Sequence, residues 1–340
     1  MALRRGRKRG RSWLSITGLI LAIVYAVASV LLGVVLGEVA LHPPRQMVTS
    51  GAEPRARERV GRVGAQLEDV TLTTADGVTL RAWFFTPREG DWNGHSVLTL
   101  HGITDNREHG VKLATMLLEH GYRVLVPDAR GHGDSGGIAT YGVLERNDIH
   151  QWVAWLRARQ PGGCVHGMGG SMGAAQLLQA IADPTDPADS AEPTLFCDAI
   201  AESSFASFRE VAFDRVGQRV GTGPWLGRTL LRPAVEVGFL SVRLQRHVNL
   251  ADANPARALR DTKTPVLLIH GLADRNMPLR HAYALAASNP TQVTLWLVDG
   301  ATHTAAWTAA PDAYPTRVLS FFAAHEPHQP PPRDATQPVQ

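Results

Sequence analysis

A serine set among glycines, Gly169-Gly170-Ser171-Met172-Gly173, carries the clearest chemistry in this chain. A short, largely apolar run, Cys164-Val165-His166-Gly167-Met168, precedes it. Ala174-Ala175-Gln176-Leu177-Leu178-Gln179-Ala180-Ile181, with helical apolar spacing, follows. A strand turning sharply into a helix is the setting that a G-x-S-x-G nucleophile elbow requires. The glycines leave space where a Cβ beside the strained serine would strike the crossing helix or strand. A hydroxyl attacks well only when an imidazole takes its proton, and the imidazole needs a carboxylate to fix its tautomer and steady the imidazolium.

Both partners follow in the chain. Pro265-Val266-Leu267-Leu268-Ile269-His270-Gly271 is a continuous apolar run bounded by proline and glycine, which predicts a buried parallel strand, and Asp274 stands just past it. Val293-Thr294-Leu295-Trp296-Leu297-Val298 predicts the next strand, followed by Gly300-Ala301-Thr302-His303. Ser171, Asp274 and His303 are then expected on loops at the carboxyl edge of one sheet. Asp198 and Glu202 are the weaker alternatives for the acid. An oxyanion needs two N–H donors. The backbone N–H of Met172 is one candidate, and that of Ile103 the other, with Thr104 as the neighbouring possibility, after the strand Val97-Leu98-Thr99-Leu100-His101-Gly102.

Other polar residues near these positions carry structural expectations. His101 is expected to shape the oxyanion loop, and Asp128 and Arg130, with Gly131 and Gly133, to organise theirs by hydrogen bonding. Glu202, Ser203 and Ser204 end a strand and are expected to line the pocket. Phe205, Phe208, Phe213, Trp225 and Phe239 either meet an acyl chain or pack a cap.

Four segments together resemble a known family: His101-Gly102 with Asn106, Asp128-Ala129-Arg130-Gly131-His132-Gly133-Asp134-Ser135, the elbow around Ser171, and the Asp274/His303 pair. The chain resembles the α/β-hydrolases, in the group of serine aminopeptidase-like and monoacylglycerol-lipase-like enzymes, over residues 66–325. Ser-Met-Gly-Ala-Ala at the elbow is similar to a branch of membrane-anchored or peripheral hydrolases. The resemblance implies an α/β-hydrolase fold and a Ser171–His303–Asp274 serine hydrolase working through an acyl-enzyme, esterase- or lipase-like, on a small-molecule or lipid acyl substrate. A peptidase or a cofactor-free haloperoxidase would use the same three residues, and a non-catalytic binding module is the alternative of another class.

The elements that must position these residues alternate. Strands are expected near 66–73 and 78–86, joined by Ala75-Asp76-Gly77, a good hairpin turn. Further strands end at His101 and cover 122–126, with helices near 111–119 and 143–159, then the elbow strand and helix, and the strand 198–202. The alternation predicts a mostly parallel, doubly wound sheet. Between 203 and 258 the rhythm breaks into helical segments, with Gly221-Thr222-Gly223-Pro224 interrupting, and a small helical cap is expected there. Residues 326–340 form a proline-rich tail expected to be disordered.

The N-terminus sets the chain's surroundings. Arg4, Arg5, Arg7, Lys8, Arg9 and Arg11 lie in the first eleven positions; taking these six from the net +3 leaves −3 for the rest. Residues 14–36 are apolar and free of charge; roughly 23 residues span about 34 Å as a helix, enough for a bilayer core. A basic stretch beside such a run points to a membrane rather than to nucleic acid. Ala26-Val27-Ala28 would suit a signal-peptide cleavage site, but the sequence stays apolar beyond it, so an uncleaved anchor is expected. The reading is thus a basic cytoplasmic segment 1–12, a single transmembrane anchor 13–37, a juxtamembrane linker 38–65 and an extracytoplasmic hydrolase domain. Two cysteines, Cys164 and Cys197, precede the ends of two strands by similar distances. Because bonds between adjacent parallel strands are awkward, two buried thiols are expected. With no His-x-x-x-His or Cys-x-x-Cys spacing, neither a metal nor a cofactor is expected.

Overall fold

The structure, a computed structural model, describes residues 5–159, 162–182, 195–219, 221–222 and 224–326. The proline-rich tail beyond Glu326 and the first four residues of the basic segment lie outside these. The chain divides into two compact units, residues 1–43 with 208–253, and residues 44–207 with 254–340.

The first unit is helical. Its long helix α1 (Arg5–Leu41) contains the stretch Ser15–Leu41, long and apolar enough to cross a membrane. The large side chains of Ile16, Leu19, Leu21, Val24 and Leu31 are more than half exposed. Among its residues whose burial is described, only Ser29, Gly33, Gly37 and Leu41, one residue in four, are buried.

The larger unit opens with α2 (Ala52–Gly61), inside the arginine-rich stretch expected to be a linker. Ala52, Ala56 and Val60, spaced by four, are buried, so this helix is pinned to the core by one narrow apolar stripe. There follow β1 (Gln66–Thr73), β2 (Thr79–Thr86), β3 (Ser96–Leu100), α3 (Val111–Glu119), β4 (Arg123–Pro127), α4 (Glu145–Arg159), β5 (Val165–Gly170), α5 (Met172–Ala180) and β6 (Asp198–Glu202). The chain then contributes α6 (Phe208–Arg219), α7 (Pro224–Arg228) and α8 (Arg232–Arg246) to the first unit. It returns through α9 (Pro255–Ala258), β7 (Val266–Gly271), α10 (Arg280–Ser288), β8 (Val293–Val298), α11 (Ala306–Ala309) and α12 (Ala313–His325).

Among the described residues the strands form one sheet in the order β1-β2-β4-β3-β5-β6-β7-β8. The β1–β2 and β2–β4 pairs are antiparallel, and every later pair is parallel. Both faces are covered, and every residue of β3 and β7 is buried. One face carries α3 and α12 through Ala114, Leu117, Val318 and Phe322. The other carries α4 and α5 through Trp152, Leu156, Leu177 and Leu178. Leu100 pairs with Gly169, Gly170 with Glu202, and Gly271 with Val298. The carboxyl ends of these strands are thereby level, and the loops after them leave one edge together.

Cys164 and Cys197 are bonded, contrary to the expectation of two thiols. Each stands one residue before its strand, with Cα atoms 5.6 Å apart, and the Cys197 N–H donates to the Val165 carbonyl at 3.0 Å, so the bridge runs diagonally across the entry of the β5–β6 pair rather than between directly paired residues.

Candidate active site

Ser171 sits at the apex between β5 and α5, with φ 54° and ψ −112°, a conformation that a non-glycine residue holds only when its surroundings force it. A Cβ on Gly169 would lie 2.6 Å from the amide nitrogen of Ala174, and one on Gly173 would lie 2.5 Å from the carbonyl of Leu100. These two glycines are therefore what lets the turn close. The Ser171 N–H donates to the Glu202 carbonyl at 2.8 Å, tying the apex to the neighbouring strand.

The three residues picked out for nucleophilic chemistry come together. His303 Nε2 lies 2.8 Å from Ser171 Oγ, and its Nδ1 lies 2.8 Å from Asp274 Oδ2. The other oxygen of Asp274, Oδ1, accepts the backbone N–H groups of Asn276 (2.9 Å) and Met277 (2.8 Å). Burial pushes this carboxyl up. The hydrogen bonds from His303, Met277 and Ser203, with the attraction of His303, outweigh that and hold it below its usual range.

Met172 is the first residue of α5, so its N–H has no acceptor within the helix. The loop carrying Ile103 and Thr104 lies against the nucleophile: a Cβ on Gly102 would be 3.5 Å from Ser171 Cβ. Ile103 is about a third exposed, while Thr104 takes a positive φ of 65°. His101 braces this loop. Its Nδ1–H donates to the Gly102 carbonyl (2.7 Å) and its Nε2 accepts the Ala129 N–H (3.0 Å). Burial, helped by nearby His132, lowers its pKa to about 3, so it stays neutral and keeps both bonds. Asp128 accepts from the backbone N–H groups of Arg107 (2.7 Å) and Asp134 (2.8 Å) and from the Arg107 guanidinium. Arg130 is clamped by Asp148 and Asp76. These are structural placements.

Asp198 stands at the amino end of β6, facing His166 Nδ1 at 3.0 Å, at the opposite edge from Ser171. Burial pushes Asp198 up to about 8 and His166 down to about 4, so the dry site favours a neutral acid beside a neutral imidazole. His95 and Cys164 complete a cluster with metal-ligating spacing around His166. There the Cys164 sulfur is bonded to Cys197, and His95 Nδ1 already accepts the Cys164 N–H.

Glu202 and Ser203 do more than line a pocket. Glu202 accepts the Ala306 N–H at 2.9 Å and the Tyr314 hydroxyl at 3.2 Å, and so holds the chain just past His303. Ser203, with φ 54°, accepts the Thr304 N–H at 3.2 Å, and its hydroxyl hydrogen-bonds Asp274. One side chain thus joins the acid's loop to the histidine's loop. Nothing in Glu202-Ser203-Ser204 marks this; only a strand end beside the elbow could have suggested it. Ser204 donates to the Phe205 carbonyl. Phe208, Phe213, Trp225 and Phe239 belong to the first unit, where Phe208 and Phe239 stack edge to face.

Ser203→Gly suits the positive φ and removes the hydroxymethyl group, and with it both hydrogen bonds. We expect kcat on a soluble ester to fall about tenfold, as losing a hydrogen bond to a charged group would cost. KM should hardly move. Without that donor the Asp274 carboxyl rises toward its ordinary range, so the stability it contributes at neutral pH shrinks, and any deficit of the variant in thermal melts should narrow as pH falls through the folded carboxyl's range. A kcat within about twofold of the parent would show the serine to be scaffolding only.

The profile of the alpha/beta hydrolase family matches residues 97–315. An uncharacterized protein of Bacillus subtilis (strain 168), YqkD, is 25% identical over 254 residues, covering 74% of this chain and 77% of its own. Lysophosphatidylserine lipase ABHD12 of Xenopus tropicalis is 32% identical over 121 residues, 34% of this chain and 29% of that protein. Among solved structures, esterase Pf2001 of Pyrococcus furiosus superposes with a TM-score of 0.62 at 24% identity, covering 84% of this chain and 98% of the esterase.

Proposed function

The chain belongs to the alpha/beta hydrolase family, and from that premise we propose that it is a membrane-anchored serine hydrolase that cleaves carboxylic esters through an acyl-enzyme on Ser171. The observation carrying this reading is the double engagement of His303, with Ser171 Oγ at 2.8 Å on one side and Asp274 Oδ2 at 2.8 Å on the other. A merely structural serine would not need its hydroxyl aimed at an imidazole whose tautomer a buried carboxylate fixes.

In this mechanism Ser171 Oγ attacks the ester carbonyl while His303 Nε2 takes its proton. Asp274 holds the Nδ1–H and balances the imidazolium. The negative oxygen of the tetrahedral adduct is held by the N–H groups of Met172 and Ile103. Its collapse expels the alcohol, which leaves with the proton from His303. Water, activated by the same imidazole, then frees the acid and restores Ser171. The sequence kinship to a lipase named for lysophosphatidylserine and the apolar length of α1 both favour lipid-like acyl esters over peptides. The anchor reading places the larger unit outside the cytoplasm, as the basic residues before α1 favour, and a disulfide suits such a compartment.

The test is a series of p-nitrophenyl esters of increasing acyl length, offered to the detergent-solubilised full chain, with a fluorophosphonate probe run alongside. Turnover of at least one ester with stoichiometric labelling is expected. A well-folded protein that neither labels nor turns over any ester would make this a binding module on the same fold.

A further inference from the structure

The first unit has a geometry that bears on the bilayer itself. Helix α8 runs alongside the second half of α1, and in the same direction. Tyr25 donates its hydroxyl to the Leu230 carbonyl at 2.6 Å, just before α8 begins. Further on, a Cβ on Gly33 would lie 2.5 Å from the Ala234 carbonyl and 2.6 Å from Val237 Cβ. One on Gly37 would lie 3.0 Å from the Gly238 carbonyl. Arg246 at the far end reaches Glu38 at 3.3 Å. Glycines four apart let the two backbones touch, since any Cβ there would strike the facing helix. The first acid after the apolar run therefore lies level with the end of α8, and Tyr25 level with its start.

That pairing fixes a depth. Because α8, with Arg243 and Arg246, lies alongside α1 up to Glu38, the apolar core ends short of the residue 37 expected from the sequence. A span of about 20 residues, the length needed to cross it, starting directly after Arg11 ends near Leu31. Tyr25 then lies six residues, roughly 9 Å, inside the boundary. What is joined to Tyr25 goes in with it. That includes Leu230, which is 55% exposed, and at the adjoining α7 it includes Trp225, 66% exposed. Two of the arginines nearest this segment are paired within the unit. Arg228 bonds Glu210 at 2.6 Å and Asp214 at 3.2 Å, and Arg232 lies over the Phe213 ring and 3.9 Å from Glu236. Tyrosine, tryptophan and paired arginines around exposed leucine are the composition of a segment seated at the headgroup–acyl boundary.

Resting on the anchor reading, we propose that α7 and the turn into α8 are inserted in the leaflet on the hydrolase side, with Trp225 and Leu230 among the acyl chains. The occupant of this exposed apolar surface is lipid, continuous with the lipid around α1. The first unit is then a membrane-seated helical hairpin bound to the anchor rather than a cap standing in water.

The test uses the full chain in phosphatidylcholine vesicles, labelled with the environment-sensitive dye NBD at Trp225→Cys or, separately, Leu230→Cys, the native cysteines being bonded. Leu21→Cys on α1 and Asp91→Cys in the larger unit serve as references. We expect the dye at 225 and at 230 to emit to the blue, as at 21, and to be quenched by a nitroxide high on the acyl chain. The dye at 91 should stay water-like. Water-like emission at both 225 and 230 with a buried signal at 21 overturns this proposal and leaves the anchor standing. A water-like signal at 21 as well, with release of the protein by alkaline carbonate, overturns the anchor and this proposal together. Insertion at 225 and 230 that survives Gly33→Leu would show the hairpin to hold its place without α1, and would overturn the pairing on which its depth rests.

Discussion

Replacing Ser171 by alanine is expected to lower ester turnover by about 10⁵–10⁶-fold and to abolish fluorophosphonate labelling, with the fold intact. The loss is large because the other parts act only through this oxygen. With Ser171 Oγ gone, His303 has no proton to take and the oxyanion donors no adduct to hold, so the cost approaches that of removing all three residues, about 10⁶ in a comparable serine enzyme. The backbone at this site makes folding a separable question. Ser171 has φ 54°, where alanine is as strained as serine, so the melting temperature should stay near that of the parent. Ser171→Gly removes the same oxygen and also relieves strain of about 1–3 kcal/mol. It should be as inactive but melt higher. A stable, dead glycine variant would show the strain to be maintained for the chemistry. Retained turnover in either variant would remove Ser171 from the role assigned to it.

What could be read in advance follows how locally each feature is encoded. The elbow was legible because its glycines answer clashes with atoms a few residues away, such as Gly169 against Ala174. The sheet was legible because β7, an apolar run from Val266 to Ile269 on both faces, reads as an interior parallel strand, and strands alternate with helices along the chain. Asp274 and His303 were found by their place after strands, and their meeting at 2.8 Å needs only that β7 and β8 be neighbours. The residues missed act across the fold. Ser203 owes its position to a positive φ that serine does not advertise, and its partners lie 71 and 101 residues away in the chain. Helix α2 was hidden because its buried stripe is two alanines and a valine among arginines, too weak a signal without the core they meet. The disulfide was obscured by a shift of one residue: inside the strands it would be strained, and just before them it fits.

Asp274→Asn is the second large effect, and here an isosteric change should be as harmful as a deletion. In the parent Oδ1 is fixed as an acceptor by the N–H groups of Asn276 and Met277, which leaves Oδ2 to face His303 Nδ1. Asparagine has one oxygen, and those two donors claim it. Its NH₂ must then point at His303 and donate to Nδ1, which drives the imidazole proton onto Nε2. That nitrogen can no longer accept from Ser171. A loss of about 10⁴ in kcat is expected, the size found when a wrong tautomer replaces the right one. KM for a soluble ester should change little, because the pocket is unaltered. Asp274→Ala, which imposes no tautomer, should lose no more than asparagine does; an asparagine variant within tenfold of the parent would make the acid a mere spacer. Stability gives an independent reading. The folded carboxyl titrates below its ordinary value, so its contribution is complete above about pH 4 and is lost as pH falls through the folded value. The parent should therefore outlast Asp274→Asn in thermal melts at neutral pH, with the gap closing in acid. A gap that widened in acid would mean that the bonds to His303, Met277 and Ser203 do not hold the ionised form.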